Sequence, residues 1–421
     1  MRVSGEAVVP GDKSITHRAL FLAGLAPGRS RLRRPLTSLD ARSTARLLRA
    51  CGVGVSPLRA GLTVTVDGRP RWRRPAGPID CGNSGTTARL GLGVLAGQPL
   101  RATLTGDPSL RRRPMRRVTE PLELMGARFE PPEADTLPLV VRGGALRSLR
   151  WELPVSSAQL KSALLLAGLV GRIEVAVREP NGRSRDHTER MLRALGQPLA
   201  EREGWIELSP GPPLQPLDLE VPGDPSSAAF LIGAALLAEA GELVIRDVGL
   251  NPTRTPFLQV LGRMGATAAL RVEPRAEAAG EPRGDLVVRP ARLRATVVRP
   301  SEVPGLIDEI PMLAALAARA EGETRFEEVG ELRVKESDRL GLLAANLRTL
   351  GFEAEATGNT LVVRGDDRAP RGRVRTEGDH RLAMAFAVLG TVPGARVTLD
   401  DRSCVAVSFP DFFATLARIG R

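Results

Sequence analysis

The chain has 421 residues, 42% hydrophobic and 26% charged, which excludes a disordered protein and sets an expectation of about two to three domains with substantial cores. A net charge of +12 would suit nucleic acid, but aromatic residues make up only 3% and the arginines run along the whole length. The charge therefore reads as compositional bias, and as a field that steers small, multiply anionic substrates. Cys51, Cys81 and Cys404 lack the paired spacing of a disulfide framework or a Cys-type zinc site, which fits a reducing compartment. The first residues hold no apolar signal-like core and no apolar run is long enough to span a bilayer, so a cytoplasmic protein without membrane contact is expected.

Taken in order, the chain repeats one unit six times: an apolar helix that opens on small polar residues, then an amphipathic helix that closes on glycine. The first helix is expected in "KSITHRALFLAGLAPG", "NSGTTARLGLGVLAG", "SSAQLKSALLLAGLVG", "PSSAAFLIGAALLAEAG", "DEIPMLAALAARAEG" and "DHRLAMAFAVLGTVPG". The second is expected in "DARSTARLLRACG", "RRVTEPLELMG", "DHTERMLRALG", "RTPFLQVLGRMG", "SDRLGLLAANLRTLG" and "FPDFFATLARIG". Runs such as "GLTVTVDG", "ELVIRDV", "DLVVRP", "TLVVRG" and "ARVTLDD" carry the β-formers of strands. Helices that are apolar nearly all round belong inside, with sheets and second helices outside them. Two groups of three repeats is the natural division, with a break near "PLDLEVPGDPSSAA", and "AEAAGEPRG" at 276–284 reads as an exposed loop.

Polar residues concentrate where the buried helices begin: Lys13, Ser14 and Arg18; Asn83, Gly85 and Thr86; Ser157 and Gln159; Asp379, His380 and Arg381. Helix N-termini offer unpaired N–H groups to phosphate and carboxylate, although each Ser or Asn taken alone is an ordinary cap. Lysine is scarce, with every basic residue an arginine except Lys13, Lys161 and Lys335. An ammonium can give up a proton and a guanidinium cannot, so a retained lysine is a candidate for chemistry. "PGDKS" is not a phosphate-binding P-loop, because Asp12 stands where that motif needs glycine. His17, His187 and His380 have no metal-ligand spacing. "LRVKESDRL" packs Lys335, Glu336, Asp338 and Arg339 into two turns, and Asp308 and Glu309 stand at a helix entry; surface ion pairing and capping are the ordinary readings, and proton transfer is the functional one.

Together, "PGDKSITHRALFLAGLA", "GNSGTTARL", "TGDPSLRRRPMRR", "VSSAQLKSALLLAGL", "SRDHTERML", "VPGDPSSAAF", "ELRVKESDRL", "GDHRLAMAF" and "VSFPDFF" resemble the enolpyruvyl transferase family, most of all the branch acting on shikimate 3-phosphate. The resemblance spans residues 10 to 413 and rests most on "VKESDR" and "GDHR". It implies an α/β fold, a two-lobed inverse α/β prism whose lobes each hold three βαβαββ units around buried helices. Lobe I would comprise residues 1–11 and 224–421 and lobe II residues 12–223, with the active site in the cleft. It also implies a monomer that moves the enolpyruvyl group of phosphoenolpyruvate to the 5-hydroxyl of shikimate 3-phosphate without metal or organic cofactor.

By the same resemblance, shikimate 3-phosphate is held by Lys13, Ser14, Arg18, Ser157, Ala158, Gln159, Arg185, Asp308 and Lys335. Phosphoenolpyruvate falls to Lys13, Asn83, Gly85, Arg113, Gln159, Arg339 and Arg381, and Lys13, Asp308 and Glu336 are implied as catalytic. Lys161 has no part in this set and reads as structural. Many members carry lysine just before "[ST]FPD", where this chain has Val407. Two rivals stay open: the UDP-N-acetylglucosamine branch, which typically has Lys-Asn in place of Lys13-Ser14 and a cysteine in the loop that here reads "GDPSLRRRP", and a basic RNA-processing protein on a related scaffold.

Overall fold

In the computed structural model, residues 1–133, 135–180, 182–278 and 280–420 are described. The chain forms two compact units: Met1–Pro10 with Pro222–Glu277 and Pro282–Arg421, and Gly11–Val221 with Ala278–Glu281. Ala278–Glu281 groups with the second unit although its neighbours on both sides belong to the first.

All twelve expected helices are present. In the second unit they are α1 (Lys13–Leu25), α2 (Leu39–Ala50), α3 (Gly85–Ala96), α4 (Arg116–Met125), α5 (Ala158–Gly171) and α6 (His187–Ala194). The first unit holds α7 (Pro225–Leu236), α8 (Pro256–Leu261), a short turn of helix α9 (Val303–Leu306), α10 (Ile310–Ala317), α11 (Arg339–Thr349), α12 (His380–Leu389) and α13 (Phe412–Ile419). Side-chain caps start four of the six apolar helices: Asp12 accepts from the Ile15 amide, Ser84 from Thr87, Asp224 from Ser226 and Asp379 from Arg381. Being apolar all round, these helices are buried all round, and every residue of α7 lies inside. α3 and α5 pack closely because Gly93 has no side chain; a Cβ there would stand 2.1 Å from the Ala163 carbonyl oxygen.

Three four-stranded sheets wrap the second unit, each pairing one parallel strand with an antiparallel remainder. Ile79–Asp80 runs parallel to Arg101–Thr105, which pairs with Leu139–Arg142 and then Arg128–Glu130. Leu149–Glu152 opens a second sheet of the same order. In the third, the leading strand arrives from the far end of the unit: Asp218–Glu220 lies parallel to Gly28–Arg33. The first unit answers in kind, with Gly5–Val8 parallel to Leu243–Gly249. Both leading strands are therefore displaced along the chain, and this displacement makes the first unit discontinuous.

Two expectations need correction. Among the described residues the sixth repeat is not a full βαβαββ unit: only Arg371–Val374 and Arg396–Leu399 pair as strands, and α13 follows them. Residue 279 lies outside the described residues, but 276–278 and 281–284 are not loop: they close the strand Leu270–Ala278 and open the strand Glu281–Val288. Charge pairing stabilises that polar stretch as strand, Arg275 meeting Asp285 at 2.8 Å and Arg283 meeting Asp247 at 3.3 Å. No helix among the described residues is long and apolar enough to cross a membrane.

Candidate active site

The second unit ties three helix N-termini together with charged side chains. Lys13, first in α1, directs its Nζ to Asp40 Oδ2 of α2 at 2.8 Å, and the two side chains are only 13% and 6% exposed. Ser14 Oγ accepts from Arg185 at 3.2 Å. Arg18 lies deeper, donating from Nε to Thr188 Oγ1 (2.6 Å), from one terminal nitrogen to the Ser14 carbonyl (2.9 Å), and from the other to Ser162 Oγ (2.7 Å) and the Ala158 carbonyl (3.4 Å). Four of its five N–H donors thus serve the protein among the described residues, and burial pushes its pKa down to about 10, opposed first by Glu189.

Asn83 and Arg113 meet beside the start of α3, Asn83 Oδ1 accepting from the guanidinium at 2.6 Å while its Nδ2 donates to Asp107 at 2.6 Å. Gly85 follows. A Cβ there would lie 3.0 Å from a terminal nitrogen of Arg89 and 3.2 Å from one of Arg113, so glycine leaves both guanidiniums room at the helix N-terminus. Arg89 donates to Gln159 Oε1 at 2.7 Å, and Gln159 Nε2 donates to Thr86 Oγ1 at 2.9 Å. Ser157 and Ala158 open α5 next to Gln159, and all three are half-buried. Helix N-termini lined with ammonium, guanidinium and hydroxyl groups suit phosphate and carboxylate.

The first unit carries the acids. Arg339, fully buried at the start of α11, donates from Nε to Asp379 Oδ2 at 2.7 Å and from its terminal nitrogens to Asp308 (3.2 Å) and Glu336 (2.5 Å). Burial works against its charge, but Asp379, Glu336 and Asp308 outweigh it and its pKa is raised. Arg381 caps the group from α12, donating to the Asp308 carbonyl at 3.2 Å and standing 3.4 Å from Asp308 Oδ2. Asp308 and Glu336 keep 15% and 17% of their side chains exposed, whereas Asp379 keeps none. Two reachable carboxylates therefore share one fixed guanidinium. Beside them, burial pushes the Lys335 ammonium down to about 8, although Asp308, Glu331 and Glu336 pull the other way. Val407, half-buried at the end of a short 3-10 turn, supplies no cation at its position.

Each implied residue thus lies with its partners within its own unit: Lys13, Ser14, Arg18, Asn83, Gly85, Arg113, Ser157, Ala158, Gln159 and Arg185 in one, and Asp308, Lys335, Glu336, Arg339 and Arg381 in the other. Sequence reasoning missed Asp40, which reads as an ordinary first-turn acid of α2. It also missed Arg89, whose signal is a lone charge on an otherwise apolar helix.

Comparison with known proteins agrees with this chemistry. The sequence model of the family described as EPSP synthase (3-phosphoshikimate 1-carboxyvinyltransferase) matches residues 1–416. A 3-phosphoshikimate 1-carboxyvinyltransferase of Desulforudis audaxviator is 48% identical over 97% of this chain and 95% of its own. One from Thermus thermophilus is 49% identical over 99% and 96%. Among solved structures, EPSP synthase from Acinetobacter baumannii superposes with a TM-score of 0.86 at 38% identity, covering 100% of this chain and 96% of the other. An enolpyruvyl transferase of Streptomyces tendae shares the fold, with a TM-score of 0.75 at 20% identity over 100% and 95% of the two chains. With a family match over nearly its whole length, and relatives close to half identical, the chain belongs to the EPSP synthase (3-phosphoshikimate 1-carboxyvinyltransferase) family of enzymes.

Proposed function

We propose that the residues gathered in the two units transfer the enolpyruvyl group of phosphoenolpyruvate to the 5-hydroxyl of shikimate 3-phosphate, giving 5-enolpyruvylshikimate 3-phosphate and phosphate. The observation that carries this reading is the pair of reachable carboxylates, Asp308 and Glu336, fixed on the Arg339 guanidinium. The reaction needs a proton delivered to C3 of phosphoenolpyruvate while the 5-hydroxyl loses one and adds to C2. A tetrahedral ketal results. Phosphate then leaves as a C3 proton is withdrawn, restoring the double bond.

Asp308 and Glu336 are the proton carriers in this scheme, and Lys13 supports the 5-hydroxyl and the bridging oxygen. Ser14, Arg18, Ser157, Ala158, Gln159 and Arg185, with Asp308 and Lys335, hold shikimate 3-phosphate. Asn83, Gly85, Arg113, Gln159, Arg339 and Arg381, with Lys13, hold phosphoenolpyruvate. Both substrates bear a phosphate and a carboxylate, so four anionic groups meet these cations. Arg339 acts first on the protein's own acids, since three carboxylates already surround it. The reading extends to a cytoplasmic monomer, and three buried free cysteines are compatible with a reducing compartment.

Phosphate release from phosphoenolpyruvate tests the function. Release is expected only when shikimate 3-phosphate is added, and UDP-N-acetylglucosamine is expected not to replace it. No release from folded protein would sink the assignment.

Lys335 adds a pH dependence. Its folded pKa of about 8 lies below the ordinary 10.5, so it is an ammonium below pH 8 and neutral above. The KM for shikimate 3-phosphate is expected to climb about tenfold per pH unit above that point, following the loss of a single proton. In Lys335→Arg the guanidinium stays charged and this limb is expected to vanish. A wild-type KM that stays flat to pH 9.5 would count against the role.

A further inference from the structure

Lys161 is a charge buried inside apolar helix α5, with none of its side chain exposed. Its Nζ lies 2.9 Å from Glu179 Oε2, 2.8 Å from Glu189 Oε1 and 3.5 Å from the Ser184 carbonyl oxygen. An ammonium has three N–H donors and no acceptor, and here it donates to Glu179 and to the Ser184 carbonyl and forms an ion pair with Glu189. Burial opposes its charge, yet Glu189 and Glu179 outweigh that cost and its pKa is raised. The side chain is held as a cation.

Neither glutamate stops at the lysine. Glu179 also accepts from the Ser184 amide at 3.1 Å and from the Ser184 hydroxyl, fixing the residue next to Arg185, which donates to Ser14 Oγ at 3.2 Å. Glu189 lies in the first turn of α6, adjacent to Thr188, which accepts from Arg18 at 2.6 Å and bonds Ser162 at 2.7 Å. Its negative charge is the main interaction opposing the drop in the Arg18 pKa. One buried cation thereby touches two acids, and each acid controls one of the cations assigned above to shikimate 3-phosphate.

We infer that Lys161 is a positioning residue for shikimate 3-phosphate: through Glu179 it sets Ser184 and hence Arg185, and through Glu189 it sets the start of α6 and hence the Thr188 anchor of Arg18. The inference rests on the functional reading above. It also accounts for a lysine kept in a chain whose basic residues are otherwise nearly all arginine. Five donors in a planar fork would leave N–H groups buried and unpaired in a space where one ammonium makes two hydrogen bonds and one further ion pair.

Both KM values and the melting temperature of wild type, Glu179→Gln and Lys161→Met provide the test. Glu179→Gln keeps the shape of the side chain and leaves Lys161 its Glu189 partner, so it should fold. It is expected to raise the KM for shikimate 3-phosphate about tenfold, as a misaligned binding group does, with the KM for phosphoenolpyruvate moved less than about twofold. Lys161→Met, which leaves both acids without their cation, should raise the first value further; where it fails to fold, Glu179→Gln decides alone. An unchanged KM for shikimate 3-phosphate in folded Glu179→Gln would overturn the inference, as would an equal rise in both KM values, which marks general loosening. Wild-type turnover accompanying either result brings down this inference only, whereas wild type that releases no phosphate brings down the functional reading and this inference with it.

Discussion

Lys13→Arg should fold normally and lose turnover by about 10²–10⁴-fold, the range over which a positioned proton-transfer group contributes. Lys13 and Asp40 form a nearly buried ion pair at 2.8 Å, so removing the charge with Met would break that pair and confuse stability with catalysis. Arginine keeps the charge and the pairing partner. What it loses is the compact ammonium able to release a proton, because a guanidinium stays protonated in proteins. Parallel measurements of kcat, both KM values and melting temperature distinguish the causes. A variant that matches wild type in kcat would show that charge alone suffices at this position.

Glu336→Gln is expected to cost a similar factor, about 10²–10⁴ in kcat, equivalent to about 2.7–5.5 kcal/mol on the barrier. The amide oxygen still accepts from Arg339, which Asp308 and Asp379 continue to hold, so the helix start of α11 should remain in place. Glu336 is 17% exposed and Asp379 is fully buried, so the first can reach a substrate, whereas the second orients Arg339 and caps α12. Asp379→Asn is therefore not an equivalent probe. A Glu336→Gln enzyme retaining full kcat would remove this residue from the proton scheme.

Much of this was legible in the sequence, for identifiable reasons. Periodicity alone gave the six helix pairs, because each buried helix is apolar all round and each pair closes on glycine. Residue resemblance gave the candidate site residues, since Lys13, Asp308, Glu336 and the arginines stand within the short motifs quoted above. Local patterns could not reveal that Gly5–Val8 pairs with Leu243–Gly249 or that Asp218–Glu220 pairs with Gly28–Arg33, because strand partners are chosen over distances of about two hundred residues. The strand ends at 276–278 and 281–284 were hidden by their composition, Ala, Glu and Gly being poor strand formers, whereas ion pairs of Arg275 and Arg283 accompany the strands here. Asp40 and Arg89 were hidden by having ordinary roles available. The part of Lys161 emerged only when Glu179, Ser184 and Glu189 were seen around one ammonium.

The central claim is that this chain adds one proton to C3 of phosphoenolpyruvate and later removes one, using the carboxylates on Arg339. Its most direct test is the reaction of wild type with both substrates in deuterium oxide, followed by mass analysis of the enolpyruvyl product. A C3 methyl in the ketal that gains solvent deuterium and loses one of its three hydrogens predicts product carrying deuterium at the vinyl carbon. Product formed at full rate with only protium at that carbon would contradict the account.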